Sequence, residues 1–223
     1  MAPDTLNFLD GGGKTAELIR DFPWHGTALG PIEGWPGGLK TIVAFILRSP
    51  VPIVTLWADD GYMIYNDAYS VFAGGRHPRL LGSRVREGWP EVAAFNDNVM
   101  KVVMAGGVLS YADQELTLHR SGKPEQVWMN LDYSPARFED GAVAGVIAVV
   151  VETTAKVRAE RHIHGERARL GAMFEQAPGF MALLEGPDHR FELANAAFKE
   201  LIGARAWNGR GVREVLPELA DQG

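Results

Sequence analysis

Val51-Pro52-Ile53-Val54, Asp59, Tyr62, Asn66, Ala68-Tyr69 and Gly74 recur 129 residues later as Phe180-Met181-Ala182-Leu183, Asp188, Phe191, Asn195, Ala197-Phe198 and Gly203. At an offset of 127 residues the match resumes, with Pro90-Glu91-Val92 on Pro217-Glu218-Leu219. Self-similarity at a fixed offset decides architecture before any local assignment does. Here it predicts two copies of one unit, and residues 97–152 of the first have no counterpart in the second. Either the polypeptide continues or the second unit takes its missing half from a partner chain.

Within the repeated stretch, Val51 to Trp57 reads as a strand, Asp59-Asp60-Gly61 as a turn and Tyr62 to Tyr65 as the returning strand. Asn66 stands where a helix cap belongs, before the short helix Asp67 to Ala73, and Asn195 repeats it. As a cap alone, its loss would cost about 1 kcal/mol. Carboxylate pairs such as Asp59-Asp60 are ordinary turn chemistry. Glu91 to Ala105 places Val92, Phe95, Val99, Val102 and Val103 on one helical face and ends at Gly106-Gly107. Three strands follow, Leu109 to His119, Gln126 to Phe138 and Ala142 to Val151. On the middle one Val127, Met129, Leu131 and Tyr133 alternate with Trp128, Asn130, Asp132 and Ser134. The expected fold is α+β: a five-stranded antiparallel sheet with helices on one side.

Upstream, Gly11-Gly12-Gly13-Lys14-Thr15 has the look of a phosphate loop, but the first glycine position of that motif is Phe8 and no strand precedes it. A flexible lead-in with Thr15 capping the next helix is the better reading. Trp24 to Gly38, dense in Gly, Pro and Trp, is an irregular wrap pinned by its two tryptophans. Leu39, Ile42, Val43 and Ile46 then define a helix that must bury one face, on the following domain or on its counterpart in a dimer. After Glu152-Thr153-Thr154 a charged helix begins, with Ile163, Leu170, Met173 and Ala177 as a sparse seam of near-heptad spacing.

Together the units Tyr65-Asn66-Asp67-Ala68-Tyr69 and Ala194-Asn195-Ala196-Ala197-Phe198, the three-strand half and the terminal Glu-Thr-Thr resemble PAS sensor domains. Phe22-Pro23-Trp24, Leu29-Gly30-Pro31-Ile32, Trp35-Pro36 and Leu39-Lys40 resemble the cap before PAS domains in multi-PAS bacterial sensor histidine kinases. Glu175-Gln176-Ala177-Pro178-Gly179 resembles the opening of the next such domain. The resemblance implies an N-terminal cap (1–49), a PAS domain (50–154), a signalling helix (155–177) and the incomplete front of a second PAS domain (178–223). It also implies a homodimer through the N-terminal and linker helices, and a downstream effector, commonly a histidine kinase and less often a diguanylate cyclase.

Composition narrows the chemistry. The chain has no cysteine, which excludes disulfides, thiolate metal sites and cysteinyl–flavin photochemistry. Lys and Arg number 22 against 28 Asp and Glu, for a net charge of −6 without a basic cluster, which argues against a nucleic-acid surface. The longest apolar run, Ala142 to Val151, is far short of a membrane span, and no leader is evident, so a cytoplasmic place is expected. Haem-binding relatives carry their ligand histidine on the long helix, and Glu91 to Ala105 has none; His77 precedes a proline in a turn. His162 and His164, two apart on a helix, cannot clamp one ion. No metal site and no catalytic set stands out. What remains is the space between sheet and helices, for which Trp57, Tyr65, Tyr69, Phe72, Trp89, Phe95, Val99, Met129 and Tyr133 are the expected lining. The cofactor, if any, is unknown. Two rival readings are a small α+β enzyme with a poised acid or base in that cavity, and a ligand-free interaction scaffold whose aromatics fill the core.

Overall fold

The computed structural model describes residues 6–217. It divides into two compact units with the boundary between Val157 and Arg158.

In the first unit two helices, α1 (Gly13–Asp21) and α2 (Gly37–Leu47), precede strands β1 (Ile53–Trp57) and β2 (Tyr62–Tyr65). Three helices follow, α3 (Asp67–Ala73), α4 (Val85–Gly88) and α5 (Ala93–Met104), and then strands β3 (Leu109–Leu118), β4 (Glu125–Arg137) and β5 (Val143–Glu152). The sheet order is β2-β1-β5-β4-β3, all neighbours antiparallel. The last strand therefore inserts beside the first, in the register Ile53↔Val149 to Trp57↔Gly145.

Both faces of β1 are covered, which explains why all five of its residues are buried. Val54 and Leu56 face α3, α4 and α5, as do Met129, Leu131 and Tyr133 of β4. On the opposite face Ile53, Thr55, Trp57 and Ile64 are buried in a core shared with Leu9, Ile19, Trp24, Trp35, Leu39, Val43 and Ile46. The expectation of helices on one side thus holds for α3–α5, while the N-terminal segment covers the other side. For the helix of Leu39 and Ile46 the face is buried on the following domain: α2 packs on its own sheet.

The wrap between α1 and α2 is held by indoles. Trp24 donates to the carbonyl of Ile19 at 2.7 Å and Trp35 to that of Gly30 at 3.1 Å, and their rings meet edge-on at 4.9 Å. The glycine-rich lead-in is a docking element. The N–H groups of Lys14 and Thr15 donate to the carboxylate of Asp67 at 3.0 and 2.7 Å, and the Thr15 hydroxyl does so at 2.5 Å. Thr15 is therefore not the cap of α1. The first turn of a helix collects unpaired N–H groups and positive potential, and a carboxylate satisfies both better than a hydroxyl. Gly13 has φ +73°, and a Cβ there would lie 2.1 Å from Asp67 Oδ2, so only glycine fits.

On β4 Val127, Met129, Leu131 and Tyr133 are buried and Asp132 and Ser134 exposed, as the alternation predicts. Trp128 departs from it: only 4% exposed, it lies where Thr153 donates to its carbonyl (2.7 Å) and its N–H donates to the Thr154 hydroxyl (3.1 Å). β3 carries a bulge between Tyr111 and Gln114, with Asp113 at φ +47°.

β5 leads into α6 (Thr154–Glu175). The second unit continues with β6 (Ala182–Glu185) and β7 (Arg190–Ala194), an antiparallel pair, then α7 (Ala196–Ile202) and α8 (Val212–Val215). Its small core is Phe191, Ile202 and Val215, with Phe198 and Trp207 against it.

The two copies share hydrogen bonds as well as letters. Met63 donates to Ser83 O and accepts from Gly82, and Phe191 donates to Arg210 O and accepts from Gly209. Asn66 and Asn195 cap α3 and α7 alike. These pairings make Met63, not Tyr62, the equivalent of Phe191, so the sequence offset is one too large along the first hairpin. The cause is a bulge in the second copy: β6 and β7 slip register between Leu183 and Leu184. The matched Glu218 and Leu219 lie outside the described residues.

Candidate functional site

Two features of the first unit can carry function: a cavity between the sheet and α3–α5, and the hydrogen-bonded junction at which β5 becomes α6.

The cavity measures about 50 Å³. Of the nine residues expected to line it, Tyr69, Phe72, Trp89, Phe95, Met129 and Tyr133 come together there. The other three are placed elsewhere. Trp57 is on the opposite sheet face, its indole against Gly145, stacked on Phe138 at 6.2 Å and donating to the Thr55 hydroxyl at 2.8 Å. The two-residue period of β1 sends Val54 and Leu56 inward and position 57 outward. Tyr65 is fully buried but turns its hydroxyl to His77 Nδ1 at 3.0 Å, its ring lying 5.2 Å from that of Tyr69. Val99 is fully buried in α5 without reaching the cavity.

Sequence reasoning missed the sheet residues Val54, Leu56, Ala148 and Val150, which the same period could have found, and Asn96 of α5. Asn96 is 8% exposed and is the only amide in a lining otherwise made of apolar and aromatic side chains. The Tyr69 hydroxyl accepts from Trp89 Nε1 at 3.1 Å. Burial pushes the Tyr69 and Tyr133 hydroxyls well above the ordinary tyrosine range. The lining thus holds no group that moves a proton near neutral pH. Among the described residues no three His, Cys, Asp or Glu side chains gather as metal ligands.

The walls are fastened from outside by two arginines. Arg76 lies over the Trp89 ring at 4.6 Å and makes a two-pronged pair with Glu91 at 2.9 Å for each oxygen; it also donates to Gly88 O and to His119 O. Burial raises the Glu91 pKa, but its own N–H, the His119 N–H (2.7 Å) and Arg76 outweigh it, so the carboxyl stays below its usual range. Arg120 lies over the Phe72 ring at 5.2 Å, donates to Phe72 O at 3.3 Å, and pairs with Glu125 at 2.8 Å and Glu152 at 2.7 Å. A cavity wall on α3 is thereby joined to the last residue of β5. The next residues, Thr153 and Thr154, bind the backbone of Trp128, and Lys156 pairs with Asp113 at 3.1 Å, so the start of α6 is tied to β4 and β3.

Asn66 is more than a cap. Its Oδ1 accepts from Ile53 N–H (3.1 Å) and Tyr69 N–H (2.9 Å), and its Nδ2 donates to the carbonyls of Ile46, Ser49 and Val51 at 3.1, 3.0 and 2.7 Å. One fully buried side chain holds the end of α2, the entry to β1 and the start of α3. Asn195 repeats this with Met181 and Phe198 as donors and Ala177 and Gly179 as acceptors.

The profile of the PAS fold family matches residues 48–158. Among solved structures, the PAS domain of BvgS from Bordetella pertussis shares 19% identity over 60% of this chain and 99% of that one, with a TM-score of 0.44. A sensory box sensor histidine kinase from Vibrio cholerae shares 16% over 50% and 85%, with a TM-score of 0.36. The LOV protein of Rhodobacter sphaeroides shares 19% over 60% and 81%, with a TM-score of 0.42.

Proposed function

Because residues 48–158 of this chain form a PAS domain, we propose that the chain is a sensory input and dimerisation module of a signal-transduction protein, with a sensor histidine kinase as its effector. In this reading residues 155–177 are the signalling helix and residues 178–223 begin a second PAS domain. The observation that carries the proposal is the fastening of Glu152 to Phe72 by Arg120, immediately before α6. A displacement of the α3 wall pulls on the residue from which the helix departs, and a helix pair with two packings can report such a pull.

In this reading α6 is a dimerisation element. Ile163, Leu170 and Met173 are 50, 61 and 60% exposed on one 22-residue helix, at spacings that suit a second copy of the same helix. The test is light scattering on the purified chain and on Leu170→Glu. A dimer that the substitution turns into monomer supports the proposal, and a wild-type monomer at tens of micromolar sinks it. Among the described residues no helix is long and apolar enough to cross a membrane, and we place the module in the cytoplasm as part of the same reading.

The size of the cavity favours a second reading, an interaction domain that senses a partner instead of a ligand. Ligand pockets for drug-sized molecules run to roughly 300–1,000 Å³, against about 50 Å³ here. The enzyme alternative finds no support in the lining, whose ionisable groups are tyrosines driven upward by burial.

A further inference from the structure

The small cavity has an unbalanced polar inventory. Asn96 on α5 and Tyr133 on β4 are 8 and 6% exposed, both line the cavity, and among the described residues neither side chain has a hydrogen-bond partner. The Tyr69 hydroxyl, 3% exposed, accepts from Trp89 and donates its own proton to no described residue. Three residues with polar side-chain groups, on three elements, therefore line one space. Buried polar groups in folded proteins are almost always paired, with protein or with ordered water. A space needs at least about 10–15 Å³ to admit a water, whose share of the liquid is about 30 Å³, and a buried water takes two to four polar partners. About 50 Å³ with three partners meets both conditions for one or two waters and is well short of the roughly 300–1,000 Å³ of a drug-sized ligand's pocket.

We propose that this cavity is a water-binding site in which one or two long-lived waters bridge Asn96, Tyr133 and Tyr69 and so couple α5 and α3 to the sheet. The inference is independent of the signalling proposal, since it rests on the polar groups and the volume alone. The water can accept from the Asn96 amide and from a tyrosine hydroxyl and donate to the Asn96 carbonyl, which satisfies groups that apolar neighbours leave bare. Movement of α5 away from β4 would enlarge the space and break the bridge.

The experiment is water-to-protein nuclear Overhauser spectroscopy on the whole, isotope-labelled chain, with native mass spectrometry of the same sample. Cross-peaks of slow-exchange sign from water to the Asn96 amide protons and to the Tyr133 ring are expected, with no bound organic mass. Tyr133→Phe, which removes one oxygen and keeps the ring, should lose the peaks at position 133 and keep those at Asn96. Asn96→Leu should abolish both sets. Absence of the peaks in the wild-type chain overturns the proposal. So does a co-purifying organic molecule that Asn96→Leu releases, which would make the site a ligand pocket in a wider conformation. If Asn96→Leu does not fold, the wild-type and Tyr133→Phe spectra decide between the same outcomes.

Discussion

Asp67 and Thr15, 52 positions apart in sequence, meet through two hydrogen bonds of 2.7 and 2.5 Å to the same carboxylate oxygen. That contact anchors α1 to α3. Burial raises the Asp67 pKa, but the Thr15 hydroxyl and the N–H groups of Thr15 and Lys14 outweigh it, so the carboxyl ionises below its ordinary range.

The first prediction concerns acid. A carboxylate depressed in the folded state adds stability that is complete above the unfolded value, about pH 4, and is lost as pH falls through the folded value. Asp67 and Glu91 both act in this sense. Stability of the first unit should therefore fall as pH drops from about 5 to 3, and Asp67→Asn should flatten part of that slope. Urea midpoints measured at several pH values check this; equal slopes in wild type and variant would disprove the anchoring role.

Asn66→Ala should cost on the order of 3–5 kcal/mol, well beyond the roughly 1 kcal/mol of a simple cap, because it strands two N–H groups and three carbonyls. Asn66→Asp keeps the two accepted bonds and sets an anion against three carbonyls, so it should also destabilise. Thermal unfolding of both variants tests the distinction: tolerance of Asp with loss on Ala would reduce the residue to a cap.

Arg120→Met should lower stability by about 2 kcal/mol, since it leaves Glu125 and Glu152 facing one another without their shared cation. Adding Glu152→Gln should recover part of that loss. The double-mutant cycle measures the coupling, and strict additivity would mean the three charges act separately.

Hydrogen exchange should be faster along β6 than along β1. Every β6 residue is exposed and every β1 residue buried, and Phe180, Leu183, Leu193 and Leu201 of the second unit present 64, 48, 49 and 61% of their surface. Protection of β6 equal to that of β1 would show that something covers the second unit in solution.

Much of this architecture could be read from the residues because hydrophobic period and turn chemistry are local. The hairpin of β1 and β2, the asparagine caps, the long helix and the three final strands all follow from spacing. Matched letters place the repeat one residue out along its first hairpin because a bulge leaves no mark on them. Sequence alone does not turn Trp57 away from the cavity, since a strand covered on both faces shows no polar side to set its phase. Thr15 and Asp67 could not be paired from sequence, as their contact depends on how the chain returns. Asn96 is hidden from sequence for the same kind of reason: an amide on an amphipathic helix reads as solvated until the facing sheet is in place.

The burial of Ile53, Thr55, Trp57 and Ile64 beneath the N-terminal segment has a practical consequence. The family match begins at residue 48, yet the folded body begins some forty residues earlier. A chain cut at the family boundary would keep every residue of the recognised domain and expose an aliphatic and aromatic sheet face, a surface prone to self-association. For solubility, the smallest autonomous form of this domain includes its leading residues.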